Sequence, residues 1–126
     1  MSIKTSENKQ SKSMQFEAKK TYLKRYTKMR VKIDRLSERL GDLDSSVDKV
    51  LYDETTRRIS AMQHDAQMVR TEILSVIDAL EIYNELEVIE MYFIDNMTFE
   101  EIADEKCYSV RHVIRLYSGG INKLVI

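Results

Sequence analysis

The sequence lacks proline entirely and contains only three glycines among its 126 residues. Sandwiches and barrels need frequent turn residues, whereas long helices do not, so this composition favours an all-α fold. The single cysteine excludes an internal disulfide framework. There is no N-terminal apolar segment and no run of about 18 apolar residues. We therefore expect an all-α protein with no membrane partner, located in the cytoplasm.

Charge is distributed unevenly although the formal net charge is only −1. Residues 1–40 hold 12 Lys or Arg against 4 Asp or Glu, and residues 41–105 hold 4 against 17. Residues 106–126 hold 4 basic residues and no acidic one. The basic N-terminal segment indicates either a polyanionic partner or pairing with an acidic helix of the same chain. Both interpretations stay open at the level of the sequence.

The first part of the chain divides into a polar tail and a long helix. Residues 1–13 have no apolar period and predict a disordered tail. From about Met14 a heptad pattern predicts a helix of roughly 28 residues, about 40 Å long, that stops at Gly41 in a left-handed conformation. The seam positions of this helix are Tyr22, Tyr26, Met29, Ile33, Leu36, Leu40 and Leu43.

A second heptad helix follows a short polar loop, with Tyr52-Asp53 as its expected cap. Its seam positions are Ile59, Met62, Ala66, Val69, Ile73, Val76 and Leu80. Two matched helices with a short connection predict an antiparallel, coiled-coil-like helical hairpin over residues 14–81. Because two helices alone bury little apolar surface, we expect the hairpin to dimerise or to pack on the C-terminal helices.

Residues 82–126 predict a trihelical domain that ends in a helix-turn-helix. A break at Tyr83-Asn84-Glu85 precedes a compact apolar helix that ends at Ile94-Asp95-Asn96. Thr98 and Glu101 then form a capping box, which marks the start of the next helix. The remaining scaffold positions are Ile102, Ala103, Val113 and Leu116 facing inward, a turn near Lys106-Cys107-Tyr108, and Ser109 as the cap of the last helix.

The sequence departs from the usual helix-turn-helix pattern at three places: Lys106, where an apolar residue is usual, Cys107, and the pair Gly119-Gly120. Cys107 stands where glycine is usual, so a positive φ there would cost roughly 1–2 kcal/mol. Gly119 and Gly120 fall in the second helix, where two interior glycines cost roughly 2 kcal/mol relative to alanine. We expect either that this helix ends near Ser118 or that a neighbouring helix approaches it closely.

The outward surface of the last helix is the candidate site for DNA. In a helix-turn-helix this helix enters the major groove, and its N-terminal side chains meet base edges. Arginine pairs with guanine through two hydrogen bonds, and free N–H groups at the helix start favour a phosphate. The candidate DNA-contacting residues are Ser109, Val110, Arg111, His112, Ile114 and Arg115, with Tyr117 and Lys123 as weaker ones. The alternative for the arginines is a solvated basic face.

The segment VIEMYFIDNMTFEEIADEKCYSVRHVIRLYSGGINKL resembles region 4 of bacterial primary-type sigma factors. It is more similar to the small sigma-region-4-like transcriptional regulators of phages and prophages, the ArpU/RinA-type late-gene activators. The resemblance covers about a third of the chain, and its specific part is TFEEIA followed by the serine-capped YSVRHVIRL. It implies a regulator that binds double-stranded DNA near phage genes and assists RNA polymerase in a bacterial host.

Other chemistries have little support in the sequence. His64, Cys107 and His112 lack metal-ligand spacing, and no glycine-rich phosphate loop occurs. We expect no catalytic activity, no metal and no cofactor. A solvated acidic face, or a contact for a basic patch on polymerase, is expected at Glu85, Glu87, Glu90, Glu100 and Glu101.

The sequence leaves three functions open. The first is a homodimeric transcriptional regulator with a dimerisation hairpin and a C-terminal DNA-binding domain. The second is a small terminase-like DNA-packaging protein, which would join the same parts but assemble as a ring. The third is a coiled-coil adaptor that binds proteins only.

Overall fold

This computed structural model describes residues 15–126, which fold mainly into helices. A helix at residues 15–23 is followed by α1 (Arg25–Asp42), α2 (Lys49–Asp78), α3 (Tyr83–Phe93), α4 (Phe99–Lys106) and α5 (Val110–Lys123). No strand occurs within the described range, so the prediction of an all-α fold is confirmed. The predicted tail over residues 1–13 lies outside the described residues.

The helix at residues 15–23 and α1 are separated by Lys24 alone. Residues 15–23 are helical, and Lys24, between them and α1, keeps a right-handed helical backbone with φ −72° and ψ −10°. The N–H of Lys24 donates to the carbonyl of Lys20 at 2.9 Å, and the N–H of Lys28 donates to that of Lys24 at 3.0 Å. Helical backbone thus covers residues 15–42 as predicted, but it is interrupted at Lys24, so the structure has two consecutive helices where the sequence predicts one.

α1 and α2 pack along each other through the two predicted seams. Ile33 of α1 forms one buried cluster with Ile59 and Ala66 of α2. The side chains packed around this cluster also occupy seam positions: Tyr26, Met29, Leu36, Leu40 and Met62. At the start of α1, the guanidinium of Arg25 meets the carboxylate of Glu72, near the end of α2, at 3.0 Å. The two helices therefore run antiparallel.

The connection after α1 corrects one predicted boundary. The predicted left-handed stop at Gly41 is wrong, since Gly41 lies inside α1 and no glycine in residues 15–126 has a positive φ. The chain turns instead at Asp44, whose carboxylate accepts hydrogen bonds from the N–H of Ser46 at 2.9 Å and from its hydroxyl at 2.6 Å. These bonds lower the pKa of Asp44, because they stabilise its charged form.

The start of α2 also differs from the sequence prediction. The predicted cap at Tyr52-Asp53 is wrong, because α2 already begins at Lys49. The N–H of Tyr52 donates to the carbonyl of Asp48 at 2.8 Å, so the first turn closes before the predicted cap.

The break between α2 and α3 lies earlier than predicted. α2 ends at Asp78, and Tyr83, expected in the break, is the first residue of α3. Ile82 has an extended backbone with φ −88° and ψ 110°, which reorients the chain immediately before α3. The carbonyl of Ile82 then accepts from the N–H of Leu86 at 3.0 Å and closes the first turn.

A second buried cluster joins the α1–α2 pair to the C-terminal helices. Leu23 contributes to it from the helix at residues 15–23, and Ile73 and Ile77 contribute from α2. The buried members from α3 onward are Val88, Ile89, Phe93, Ile94, Ile102, Ala103, Val113, Tyr117, Ile121 and Leu124. The pair thus packs on the C-terminal helices, which is one of the two ways in which the sequence predicts that it completes its core.

Two hydrogen bonds strengthen this junction at the helix ends. The hydroxyl of Thr27 donates to the carbonyl of Phe93 at 3.1 Å, and the ammonium of Lys19 donates to the carbonyl of Asn122 at 3.1 Å. Both carbonyls lie in the last turn of their helices, where intrahelical partners are lacking. Thr27 of α1 therefore caps the end of α3, and Lys19 of the preceding helix caps the end of α5.

The two glycines of α5 lie where α5 crosses α3. A Cβ at Gly119 would lie 2.5 Å from Oε2 of Glu85, and a Cβ at Gly120 would lie 2.9 Å from Cγ1 of Ile89. α5 runs past both glycines to Lys123. The expectation that a neighbouring helix approaches closely is therefore confirmed, and the alternative of an early helix end is wrong.

We predict that Ile33→Asp lowers the free energy of unfolding by about 4 kcal/mol or more, because it buries an unpaired charge in the seam. Ile33 is 2% exposed, whereas Val31 on the same helix is 45% exposed. Val31→Asp is therefore the control, with an expected change within about 0.5 kcal/mol. Denaturant unfolding followed by circular dichroism measures both. Wild-type stability of the Ile33→Asp protein would contradict the burial of Ile33.

We predict opposite effects of alanine at two helical glycines. Gly41→Ala should stabilise the protein by about 0.5–1 kcal/mol, because nothing lies within 4 Å of the added Cβ. Gly120→Ala should destabilise it by about 1–3 kcal/mol, because overpacking against Ile89 outweighs the gain in helix propensity. The same unfolding measurement compares them. Stabilisation by Gly120→Ala would show that α3 and α5 separate at little cost.

Candidate nucleic-acid interface

α4 begins with the capping box that the sequence predicts. The N–H of Glu101 donates to Oγ1 of Thr98 at 3.2 Å, and the N–H of Thr98 donates to the carboxylate of Glu101 at 3.3 Å. Ile102 and Ala103 are buried, as expected for the inward face of this helix. The capping box and the inward positions of α4 are therefore confirmed.

The turn between α4 and α5 contains the strained residue that the sequence indicates. Cys107 has φ 57° and ψ 39°, the left-handed region that favours glycine. The N–H of Tyr108 donates to the carbonyl of Ala103 at 2.9 Å, which satisfies one of the last carbonyls of α4. The cost of roughly 1–2 kcal/mol at Cys107 is thus offset in part by the closed helix end.

α5 begins at a side-chain cap. The hydroxyl of Ser109 accepts from the N–H of His112 at 3.1 Å, so the predicted N-cap is confirmed. Val113 is fully buried and fixes which side of α5 faces the core. Leu116 is half-buried and packs against the same core. The orientation of the first turns of α5 therefore follows from its cap and its inward residues.

The opposite side of α5 carries most of the predicted DNA-contacting residues. Four of them are exposed: Val110, Arg111, Ile114 and Arg115. Val110 and Ile114 are four residues apart, as are Arg111 and Arg115, so the four side chains share one helical face. The first turn of α5 contains no acidic residue. Within residues 15–126, neither arginine forms an ion pair with a carboxylate. We call these four residues the α5 face.

His112 lies beside this face rather than on it. Its ring packs edge-on against the ring of Tyr108, with 4.8 Å between the centroids, and the residue is half-buried. The structure therefore gives His112 a packing contact across the turn, with only part of the imidazole accessible to a partner.

Lys123 and Tyr117, the two weaker candidates, have partners within the fold. The ammonium of Lys123 lies 2.8 Å from Oε1 of Glu85, so its charge is compensated although the side chain is half exposed. Tyr117 is only 6% exposed, and the prediction that it contacts DNA is wrong. The helical period places Tyr117 one turn after Val113, on the inward side of α5.

Tyr117 belongs to an aromatic cluster that joins α3, α4 and α5. Its ring centroid lies 5.0 Å from those of Tyr92 and Phe99 and 5.8 Å from that of Phe93. Tyr92 and Phe99 stack at 4.8 Å. Burial raises the pKa of Tyr117 to about 12, with a smaller contribution from Tyr92. The cluster holds the α5 face in a fixed position relative to α4.

The predicted solvated acidic face is wrong for Glu85. This carboxylate is buried beneath Gly119 and binds Lys123. Sequence reasoning missed the pair because its partners are 38 residues apart, although the two adjacent glycines are a signal for a nearby bulky group. A double glycine inside a helix leaves space that a side chain from another helix can fill.

The other acidic positions differ in their surroundings. Glu87 lies 2.7 Å from the ammonium of Lys106, and this hydrogen bond raises the pKa of Lys106. Lys106 therefore fills a position where an apolar residue is usual by pairing its charge. The pKa of Glu90 is raised by desolvation and then by the charge of Asp95. Glu100 is exposed, as the sequence predicts.

Residues 15–126 contain no group of three or more His, Cys, Asp or Glu side chains placed to hold a metal ion. Nor does any helix in that range combine the length and apolar character needed to cross a membrane.

We predict that the free energy of unfolding falls as the pH rises from about 10 to about 12. The tyrosine hydroxyl of the unfolded chain ionises near pH 10, whereas Tyr117 in the folded protein holds its proton to about pH 12. Denaturant unfolding at several pH values measures the slope. Tyr117→Phe keeps the ring and should reduce the slope in this window, whereas an unchanged slope would contradict the burial of this hydroxyl.

Comparisons with protein-family models, with curated proteins and with solved structures found no match for this chain.

Proposed function

We propose that the chain is a sequence-specific, double-stranded DNA-binding transcriptional regulator of phage or prophage type, with α4 and α5 as its helix-turn-helix. It acts in the cytoplasm of a bacterial host, together with the host RNA polymerase. The proposal joins the resemblance of residues 88–124 to sigma-region-4-like regulators with the arrangement of the α5 face.

The α5 face is the observation that carries this proposal. Arg111 and Arg115 are exposed, have no carboxylate partner among residues 15–126, and stand in the first two turns of a capped helix. The side chains of Val110 and Ile114 flank them and offer apolar contact to a thymine methyl group. An exposed helical face with two free guanidinium groups suits the major groove, where arginine pairs with guanine.

The start of α5 adds a contact for the DNA backbone. Ser109 satisfies the N–H of His112, which leaves other N–H groups of the first turn available for a phosphate. A phosphate contact there would fix the register of α5 in the groove, while the arginines select the base sequence. The two kinds of contact supply affinity and specificity separately.

Polymerase is proposed to bind the acidic side of α4. Glu100, Asp104 and Glu105 are exposed, whereas Glu101 is engaged in the capping box. Because α4 precedes the α5 face, this acidic surface lies close to bound DNA and is suited to a basic patch on polymerase.

A dimer is proposed to supply a second copy of the α5 face. Three aliphatic side chains at the loop end of the α1–α2 pair are exposed, Val47 at 77%, Val50 at 73% and Leu51 at 52%. Burying them between two copies would gain apolar contact area. Solution mass measured by light scattering tests this part: a dimer supports the regulator, whereas a large ring would support the packaging protein.

We predict that Arg115→Ala lowers the affinity for a selected specific duplex by about 1–3 kcal/mol and leaves the helix content unchanged. Arg57→Ala is the matched control, because Arg57 is an exposed arginine of α2 away from the α5 face. Random-site selection provides the duplex, and fluorescence anisotropy measures the affinity of both variants.

Equal affinity of wild type and the Arg115→Ala variant would remove Arg115 from the site. Failure of the wild-type protein to bind any duplex at low salt would overturn the proposed function and leave the protein-binding adaptor as the alternative.

A further inference from the structure

Five basic side chains of α1 and its N-cap share one helical face. They follow each other by four, four, three and four residues, which is the spacing of a single stripe along an α-helix. These residues are Lys24, Lys28, Lys32, Arg35 and Arg39, and we call them the basic stripe. At 1.5 Å per residue the stripe extends over about 22 Å.

The basic stripe differs from its neighbours in having no acidic partners. The other two cations of α1 are paired: Arg25 with Glu72, and Arg30 with Asp34. No residue of the stripe forms an ion pair within residues 15–126. Like charges three and four residues apart on a helix destabilise it. Repulsion between these cations therefore lowers the stability of the free protein, and an anionic partner would relieve that repulsion.

One end of the stripe meets the start of α4. Lys24 and Lys28 line a cleft of about 360 Å³ together with Asn96, Thr98 and Glu100. The stripe therefore reaches the element that immediately precedes the α5 face in the fold. A partner that covers the start of α4 would lie close to these two lysines.

The other end of the stripe lies along α2. Lys32, Arg35 and Arg39 border a shallow groove of about 210 Å³ whose opposite side is formed by Arg58 and Met62. Arg58 adds a fourth cation to this groove from the second helix, and no carboxylate lines it. The positive surface thus continues from one helix to the other.

The α1–α2 contact itself does not neutralise the stripe. The two helices meet through apolar seams, and within residues 15–126 the ion pair that joins them is Arg25 with Glu72. Pairing of the basic helix with an acidic helix of the same chain, one of the two interpretations of the sequence, therefore does not account for these five cations. Within residues 15–126 these five cations therefore have no acidic partner.

We propose that the basic stripe is a second DNA-binding surface, which binds the phosphate backbone of the duplex beside the site recognised by α5. A duplex carries one phosphate per 3.4 Å of axis on each strand, so about 22 Å of stripe spans roughly six phosphates of one strand. Lysine and arginine on a straight helix fit such a regular row of charge, and they bind it without regard to sequence. This inference rests on the proposed function, since it takes the same duplex as partner.

The test compares two triple variants that remove equal charge. Lys28→Gln/Lys32→Gln/Arg39→Gln weakens the stripe, whereas Arg30→Gln/Lys49→Gln/Arg57→Gln removes three exposed cations outside it. A third variant, Arg111→Ala/Arg115→Ala, removes the arginines of the α5 face. Circular dichroism and denaturant unfolding establish that all three fold. Fluorescence anisotropy then measures binding to a random-sequence duplex of about 30 base pairs from about 50 to 300 mM salt, the range in which phosphate contacts dominate.

We expect the stripe variant to reduce the slope of log affinity against log salt by about 2.7, or 0.9 for each of three lost phosphate contacts. The off-stripe control should change this slope by less than about 1, although it has the same net charge. At the lowest salt concentration the stripe variant should bind at least ten-fold more weakly than the control.

The outcomes separate this inference from the proposed function. Wild-type binding with an unchanged slope in the stripe variant would overturn the stripe and leave DNA binding by α5 intact. A reduced slope in the stripe variant, with no effect of the α5 variant on a selected duplex, would overturn readout by α5 and support the stripe. No duplex binding by the wild type overturns both. Tighter binding of the wild type to poly-L-glutamate than to duplex would overturn DNA as the partner of the stripe.

Discussion

Where α5 crosses α3, Gly119 and Gly120 leave room for the side chains of Glu85 and Ile89, and this contact sets the rotation of α5 about its axis. With α3 held against the glycines, Val113 and Tyr117 must point into the core. The exposed residues of the first turns follow from the same rotation, because side chains on opposite sides of a helix are fixed by its period. The direction of Arg111 and Arg115 therefore depends on two residues that carry no side chain.

Electrostatics divides the basic residues of the chain into two groups. Lys106 and Lys123 hold α4 and α5 to α3 through Glu87 and Glu85, and they contribute to the fold. The basic stripe and the arginines of the α5 face have no such partners among residues 15–126. Counting charges along the sequence cannot make this distinction, because it depends on which carboxylates come within a few ångströms in the folded chain.

The buried cluster around Leu23, Ile73 and Ile77 makes the long helices part of the same core as α3, α4 and α5. Because protein interiors are close-packed, such a junction transmits position from one part to the other. In the proposed function this has a direct use: the basic stripe and the α5 face keep a defined spacing. A duplex held by both would be bound at several points along its backbone, with base contacts confined to α5.

Local signals in the sequence determined much of this fold. The caps at Thr98 and Ser109, the seams of the long helices and the all-α class depend on groups three or four residues apart, and the sequence displays them directly. Tertiary structure alone decided that Glu85 is buried, that Tyr117 is a core residue and that Gly41 continues a helix. The burial of Glu85 and Tyr117 depends on contacts between distant segments, and the helical backbone of Gly41 lies where no neighbour approaches. A local sequence pattern shows neither the distant contacts nor the open space. The sequence likewise indicated that Val110, Arg111, Ile114 and Arg115 face outward, whereas only the folded chain decided which cations remain without acidic partners.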